Sequence, residues 1–221
     1  KGTFVLAIHS LIDNSLFMAR DRVGSKLLYY SYVNQNIIFA PNLKRILKEK
    51  AVNPVINKTA LAQYVMLSYI PSPLSVIEGV YKLPAGHYLT LSGNGVMEIK
   101  EYWDIIYDEQ EKIKDYNECK QILRKTLFTS VEEYLNYDKD VGVLLSGGID
   151  SNIITGILSE ISDTPVRTFS IGCKDIKDYD ESDRANLSAK FHNSNHQLFS
   201  IEYKNMLKNI EKVIDNIDEP C

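Results

Sequence analysis

Hydrophobic positions along the chain change their spacing about halfway through it. In the first hundred residues, short apolar runs alternate with polar turns, which predicts closely spaced strands and an antiparallel meander. Asn42 is placed to cap a short helix over 43–48, and Asn57 to cap a second helix that Pro71 and Pro73 end. The predicted strands cover residues 3–8, 16–20, 26–32, 37–40, 87–91 and 96–102.

After a charged segment, longer helical repeats alternate with short strands. Such alternation predicts a parallel doubly wound sheet. We therefore expect a domain at 1–104, a linker at 105–114 and a second domain at 115–221. The predicted helices cover 115–137, 151–161, 181–191 and 203–216, and the strands cover 141–146, 166–171 and 196–201.

Composition narrows the classes of partner. The 221 residues carry a formal net charge of −4, whereas a nucleic-acid footprint is usually a basic patch. No run of eighteen apolar residues predicts a membrane span, and no signal peptide is evident. Three dispersed cysteines are typical of a reducing compartment. We expect a cytoplasmic protein that binds neither nucleic acid nor membrane.

The most informative segment is Ser146-Gly147-Gly148-Ile149-Asp150-Ser151, which lies between a buried-strand pattern and a helical pattern. At such a strand-to-helix turn, free N–H groups and the helix dipole favour an anion. The two glycines allow close approach of a phosphate, and Asp150 suggests a bridging Mg²⁺. The segment Phe169–Gly172 ends a neighbouring strand and is expected at the same cleft.

This loop lacks the Walker A pattern. It resembles the PP-loop, S-G-G-x-D-S, of the N-type ATP pyrophosphatases, which cleave ATP between the α and β phosphates and adenylate a substrate. The alternative is a turn that uses glycine and serine for geometry alone.

Over nearly its whole length the chain resembles the glutamine-dependent asparagine synthetase family. The resemblance rests on the order and spacing of several short motifs more than on any single one except the loop. The motifs are Ala19–Tyr30, Phe39-Ala40 with Lys44, Lys82–His87, Glu101–Asp104, Val143–Ser151, Thr168–Gly172, Asp180–Ser182, His196 and Asp218-Glu219-Pro220.

The resemblance implies an α+β region followed by an α/β region. The first would be the C-terminal half of a class II glutamine amidotransferase domain, which is an Ntn-type glutaminase with antiparallel β structure. The second would be the first half of a PP-loop ATP pyrophosphatase domain, similar to adenine nucleotide alpha hydrolases. Such a ligase uses ATP, Mg²⁺, aspartate and glutamine-derived ammonia, and forms asparagine through an aspartyl-adenylate.

The resemblance also assigns residues. The pyrophosphate would be held by the loop, and backbone around Leu145 and Ile171 would hold the adenosine. Asp150 would be the metal ligand, and no catalytic residue is assigned. The loop residues concerned are Ser146, Gly147, Gly148, Asp150 and Ser151.

Two family features fall outside these residues. The glutaminase nucleophile of the family is an N-terminal cysteine, whereas residue 1 here is lysine, and the later S-G-x-G-x-D-E motif would follow Cys221. We therefore expect the chain to be part of a larger protein and to lack glutaminase activity by itself.

Several alternatives stay open. The acceptor could be a sugar carboxylate or the precursor of a β-lactam, or the chain could be a non-catalytic paralogue, although the intact loop argues against that. A homodimer is also left open. Arg20-Asp21 could be catalytic, but we interpret it as an ion pair within a strand or turn that holds the sheet. Glu181 could contact ATP or Mg²⁺ or could be a first-turn helix acid, and we expect His196 to be structural.

Overall fold

The computed structural model describes residues 2–107, 113, 115–135, 141–173, 175 and 180–220. Contacts divide the chain into two units, one of Lys1–Tyr107 with Lys212–Cys221 and one of Asp108–Glu211. Most of the expected linker, residues 108–112 and 114, lies outside the described residues. The domain boundary at 105–114 therefore stays a prediction.

The first unit contains two antiparallel sheets. One has the strand order β1-β2-β6-β7 and the other has the order β4-β3-β5. The expected meander is thus wrong, because β2 pairs with the distant β6 and not with β3. The elements are β1 Val5–His9, β2 Leu16–Arg20, β3 Tyr29–Val33, β4 Asn36–Ala40, α1 Leu43–Ile46, α2 Lys58–Leu67, β5 Val80–Lys82, β6 His87–Leu91 and β7 Met97–Glu101.

Both faces of the second sheet are buried, as the two adjacent tyrosines of β3 show. Tyr29 packs with Leu43 and Ile46 of α1. Tyr30 points to the opposite face and packs with Met18 and Leu89 of the first sheet. Since successive side chains of a strand alternate between faces, β3 contributes one tyrosine to each of these two hydrophobic clusters.

The helix starts follow the predicted caps. Asn42 accepts a hydrogen bond from the amide of Arg45 at 3.1 Å, and Asn57 accepts one from the amide of Ala60 at 3.1 Å. Helix α2 ends at Leu67, where Ser68 adopts a left-handed φ of 63°. It therefore ends before the prolines that were expected to end it.

The second unit is a parallel three-stranded sheet with helices between its strands. Its strands lie in the order β10-β9-β8, so each strand is added on the same side of the preceding one. The described residues contain no reversal of strand order, so the doubly wound arrangement stays a prediction. The elements are α3 Tyr116–Leu135, β8 Gly142–Leu144, α4 Ile149–Ile161, β9 Arg167–Gly172, α5 Ser182–Phe191, β10 Asn195–Ser200 and α6 Tyr203–Lys208.

Two predicted helices differ from the structure. The helix expected over 203–216 is two helices, α6 and then α7 Ile210–Ile214. Residues 136 and 137, expected at the end of α3, lie outside the described part of the chain. The start of α3 is capped by Asp115, whose carboxylate accepts from the amide of Glu118 at 2.8 Å.

Arg20 and Asp21 each bind main-chain groups. The Arg20 guanidinium, 6% exposed, donates to the carbonyls of Lys26, Leu83 and Gly24 at 2.6 to 2.7 Å. The Asp21 carboxylate accepts from the amides of Ser25 at 2.9 Å and Lys26 at 3.2 Å. The two opposite charges attract each other, but their hydrogen bonds go to main-chain groups, and these hold the turn over 21–26. Strand β3 begins after this turn, at Tyr29.

Burial alone would raise the pKa of Asp21, but hydrogen bonds from Ser25, Lys26 and Phe4 outweigh it and leave the pKa below its ordinary value of 3.8. Above that value the ionised carboxylate therefore stabilises the fold, and the stabilisation is lost as the pH falls through the lowered pKa. Asp21→Asn should lower the free energy of unfolding at pH 7 by about 1–2 kcal/mol.

Chemical denaturation between pH 7 and pH 3 checks this expectation. The gap between wild type and Asp21→Asn should narrow below the ordinary pKa of 3.8. Asp104→Asn, at an exposed aspartate, is the matched control and should show no gap. A gap that is the same at every pH would contradict the assignment.

Candidate nucleotide site

A strand, a loop and a helix form the candidate site in the second unit. Strand β8 ends at Leu144, and α4 begins at Ile149 with Gly148 as its N-cap residue. The helix forms here because Ile154, Ile157, Leu158 and Ile161 pack against Val143 of the strand and Val131 of α3. The predicted strand-to-helix context of the loop is confirmed.

Two serine hydroxyls hold the loop in shape. The Ser146 hydroxyl accepts from the amide of Gly148 at 3.3 Å and lies 3.1 Å from the Ser151 hydroxyl. The Ser151 hydroxyl in turn accepts from the amide of Ser146 at 3.3 Å and donates to the Gly148 carbonyl at 3.2 Å. Hydrogen bonds from its own side chains thus connect the two ends of the loop.

Gly147 is required by the neighbouring helix. Its φ is +78°, and a Cβ there would lie 2.6 Å from the Arg184 Cβ and 2.9 Å from the Ala185 amide nitrogen. Helix α5 comes this close because Ala185 and Ala189, which face Leu145, are small and buried. Phosphate contact by Gly147 stays a prediction, but close packing explains the residue without it.

Gly148 has different constraints. Its φ of −77° suits any residue, and a Cβ would meet only the Ser146 hydroxyl at 3.3 Å. As an N-cap without a side chain, Gly148 supplies no acceptor to the first amides of α4. These amides have no partner within the helix, so they are the groups that an anion would use.

Asp150 lies in the first turn of α4 and is exposed. A carboxylate here interacts favourably with the helix dipole, and it is also a ligand of the kind that Mg²⁺ prefers. Among the described residues, no group of three or more His, Cys, Asp or Glu side chains could hold a metal ion. Binding of Mg²⁺ by Asp150 stays a prediction.

A cavity of about 200 Å³ opens beside the loop, at the carboxyl ends of β8 and β9. It brings together three of the predicted residues, Leu145, Ser146 and Ile171. Gly147, Gly148, Asp150 and Ser151 do not line it. The full lining is Leu144, Leu145, Ser146, Phe169, Ser170, Ile171, Glu181 and Ala185.

Leu145 is 1% exposed and its main chain is already paired. Its amide donates to the Phe169 carbonyl at 2.8 Å, and its carbonyl accepts from the Ser170 hydroxyl. Main-chain recognition of adenosine at Leu145 would thus have to use the second lone pair of that carbonyl. Ile171, 65% exposed, presents its side chain to the opening.

His196 is a packed imidazole, as expected. Its Nδ1 lies 2.9 Å from the hydroxyl of Thr168, which also lies 2.9 Å from the hydroxyl of Ser194. The Nε2 atom is buried and has no hydrogen-bond partner among the described residues.

The sequence analysis missed the close approach of Arg184 to Gly147 and the hydrogen bond from the Ser170 hydroxyl to the Leu145 carbonyl. Both depend on elements that are distant along the chain, since Arg184 is on α5 and lies over Gly147. No local pattern signals such a contact.

Two antiparallel sheets followed by a parallel sheet fit an Ntn-type glutaminase followed by a synthetase. The glutamine amidotransferase domain family matches residues 1–103, and the asparagine synthase family matches residues 122–221. The chain therefore belongs to the asparagine synthetase family, a family of ligase-type enzymes, as its motifs indicate.

Individual relatives agree with this assignment. A putative glutamine-hydrolysing asparagine synthetase 2 of Methanocaldococcus jannaschii is 31% identical, and the match covers 100% of this chain and 43% of that protein. Glutamine-hydrolysing asparagine synthetase 1 of Bacillus subtilis is 30% identical, over 100% of this chain and 34% of that protein. Amidase chry2 of Gibberella zeae is 29% identical, and the match covers 86% of this chain and 29% of that protein. The chain spans less than half the length of these relatives.

The two glycines should respond differently to alanine. Gly147→Ala should destabilise the second unit by about 2–4 kcal/mol, because a left-handed φ and contact with a backbone atom are both unfavourable for a Cβ. Gly148→Ala should cost less, because its φ is ordinary and its Cβ would meet only the Ser146 hydroxyl at 3.3 Å, although alanine is a poorer N-cap residue than glycine. Denaturation midpoints of the two variants provide the measurement, and equal losses would contradict the packing argument.

Proposed function

We propose that the whole protein is a glutamine-hydrolysing, ATP-dependent asparagine synthetase. The carboxylate of aspartate would attack the α-phosphorus of ATP, releasing pyrophosphate and leaving an aspartyl-adenylate. Ammonia released from glutamine would then displace AMP and form the amide. The products would be asparagine, AMP, pyrophosphate and glutamate.

The observation that carries this proposal is the pairing of the Ser146–Ser151 loop with the cavity at the ends of β8 and β9. The loop offers uncapped helix amides to the phosphates. The cavity offers apolar walls from Phe169 and Ile171 to the nucleoside. Their adjacency supports ATP bound with its pyrophosphate end at α4 and its adenosine end toward β9.

Asp150 is the residue that would hold Mg²⁺ in this arrangement. Mg²⁺ commonly binds through one or two carboxylates plus substrate phosphates, which suits an exposed carboxylate beside an anion site. When bound, the ion would neutralise charge on the departing pyrophosphate. Asp150 would also keep the phosphates from approaching α4 without a counter-ion, since a carboxylate and a phosphate repel each other.

The acceptor carboxylate has an alternative. In the alternative, another carboxylate replaces aspartate as the acceptor. A sugar carboxylate or a β-lactam precursor would leave the nucleotide chemistry unchanged. A non-catalytic paralogue would instead show no adenylation with any acceptor.

Among the helices that the structure describes, none has the length and apolar content that a membrane-spanning helix needs. We propose a cytoplasmic location on the basis of the dispersed cysteines.

Exchange of pyrophosphate into ATP by the full-length protein tests the proposal. Asp150→Asn should slow the Mg²⁺-dependent exchange more than tenfold, since loss of one charge-assisted contact costs about 1.5–3 kcal/mol. Its denaturation midpoint should change little, because Asp150 is exposed.

Asp183→Asn is the matched control, because Asp183 is an exposed first-turn acid of α5 outside the cavity lining. It should leave the exchange rate at the wild-type level. Equal exchange rates for wild type and Asp150→Asn would mean that the loop is a structural turn. No exchange by the wild type with any carboxylate would point to the non-catalytic paralogue.

A further inference from the structure

A buried ion pair joins β5 to the end of the described chain. The Lys82 ammonium, on a side chain 6% exposed, donates to Glu219 Oε2 at 2.7 Å and to the Ile70 carbonyl at 2.6 Å. The other oxygen of Glu219, whose side chain is 10% exposed, accepts from the Val76 amide at 2.8 Å. Each charge is thus paired and also bound to the main chain, which fixes its geometry.

A second lysine holds the residues just before Glu219. The Lys44 ammonium donates to the carbonyl of Ile214 at 3.2 Å and to the carbonyl of Asp215. Because α7 ends at Ile214, this cation pairs with carbonyls that the helix leaves open. The Lys44 amide also donates to Asp218 at 3.4 Å. The segment 214–219 is therefore held at both ends by lysines.

These contacts bring together three sequence motifs that the candidate nucleotide site does not use. Lys44 and Lys82 lie within the stretch matched by the amidotransferase family, whereas Asp218-Glu219-Pro220 lies within the stretch matched by the asparagine synthase family. All of them nevertheless lie in the first structural unit, because the chain leaves that unit after Tyr107 and rejoins it at Lys212.

A buried ion pair of this kind fixes the relative position of its two residues more than it stabilises the fold. A buried ion pair contributes little net free energy relative to apolar residues, while loss of one partner leaves an uncompensated charge. The hydrogen bonds from Val76 and to Ile70 restrict Glu219 and Lys82 to one arrangement. A pair this restricted is suited to hold one segment in a fixed place.

We propose that Lys82 and Glu219 are positioning residues that couple glutamine hydrolysis to amide formation. By fixing the segment that follows α7, they would hold synthetase-family residues against the amidotransferase-family unit, so that released ammonia is used before it escapes to solvent. This inference rests on the proposed function, since it requires both half-reactions.

The test uses the full-length protein and the number of glutamate molecules formed per amide formed. Glu219→Gln should lower glutamine-supported amide synthesis by more than about tenfold. Glutamine hydrolysis and synthesis supported by added ammonium should stay unchanged, so the ratio of glutamate to amide rises. Glu211→Gln, at an exposed glutamate of α7, is the control and should keep the wild-type ratio.

The double variant Lys82→Met with Glu219→Gln separates positioning from stability. It leaves no unpaired charge, so its denaturation midpoint should recover relative to Lys82→Met, while the glutamate-to-amide ratio should stay raised. If the ratio returned to the wild-type value together with the midpoint, the pair would be only structural and the proposal would be overturned. Should Lys82→Met not fold, Glu219→Gln and the double variant give the same comparison.

Failure of the proposed function has a different signature. A wild-type protein that shows no ATP–pyrophosphate exchange would remove the proposed function, and the coupling inference with it. A wild type that exchanges pyrophosphate and a Glu219→Gln variant with an unchanged ratio would remove the coupling inference alone.

Discussion

Buried main-chain N–H and C=O groups must be hydrogen-bonded, and the structure depends on this constraint. Arg20 illustrates it, because its guanidinium donates to three main-chain carbonyls. Irregular segments that pass through the interior have no ladder to pair their N–H and C=O groups. In this chain, polar side chains perform that task. Arg20 and Asp21 do so at the turn before β3, Ser75 does so for Ile77 and Val80, and Ser170 does so for Leu145.

The same constraint shapes the candidate nucleotide site. Ser170 and Phe169 occupy the main-chain groups of Leu145 and so tie the end of β8 to β9. The first amides of α4 have no partner within the helix, so they are main-chain donors available at this edge. The site is therefore polar at the helix start and apolar in the adjoining cavity, which matches the two ends of a nucleotide.

Local patterns predicted the elements well and their pairing poorly. The bounds of β2 and β6 follow directly from apolar runs between turns, and the Asn42 and Asn57 caps follow from side-chain chemistry. Strand β5, only three residues long, gave no such run. The partnership of β2 with β6 depends on a core formed across about seventy residues, so spacing alone favoured the meander.

At the site, the loop was predictable because its information is contained in six consecutive residues. The reason for Gly147 was not, since it depends on how closely α5 approaches. The Lys44, Lys82 and Asp218-Glu219 motifs show the same limit. Each looks like an isolated fragment of sequence, and only the fold reveals that they contact one another. Loss of one partner of a buried ion pair leaves an uncompensated charge, so each motif makes physical sense only in the presence of the other.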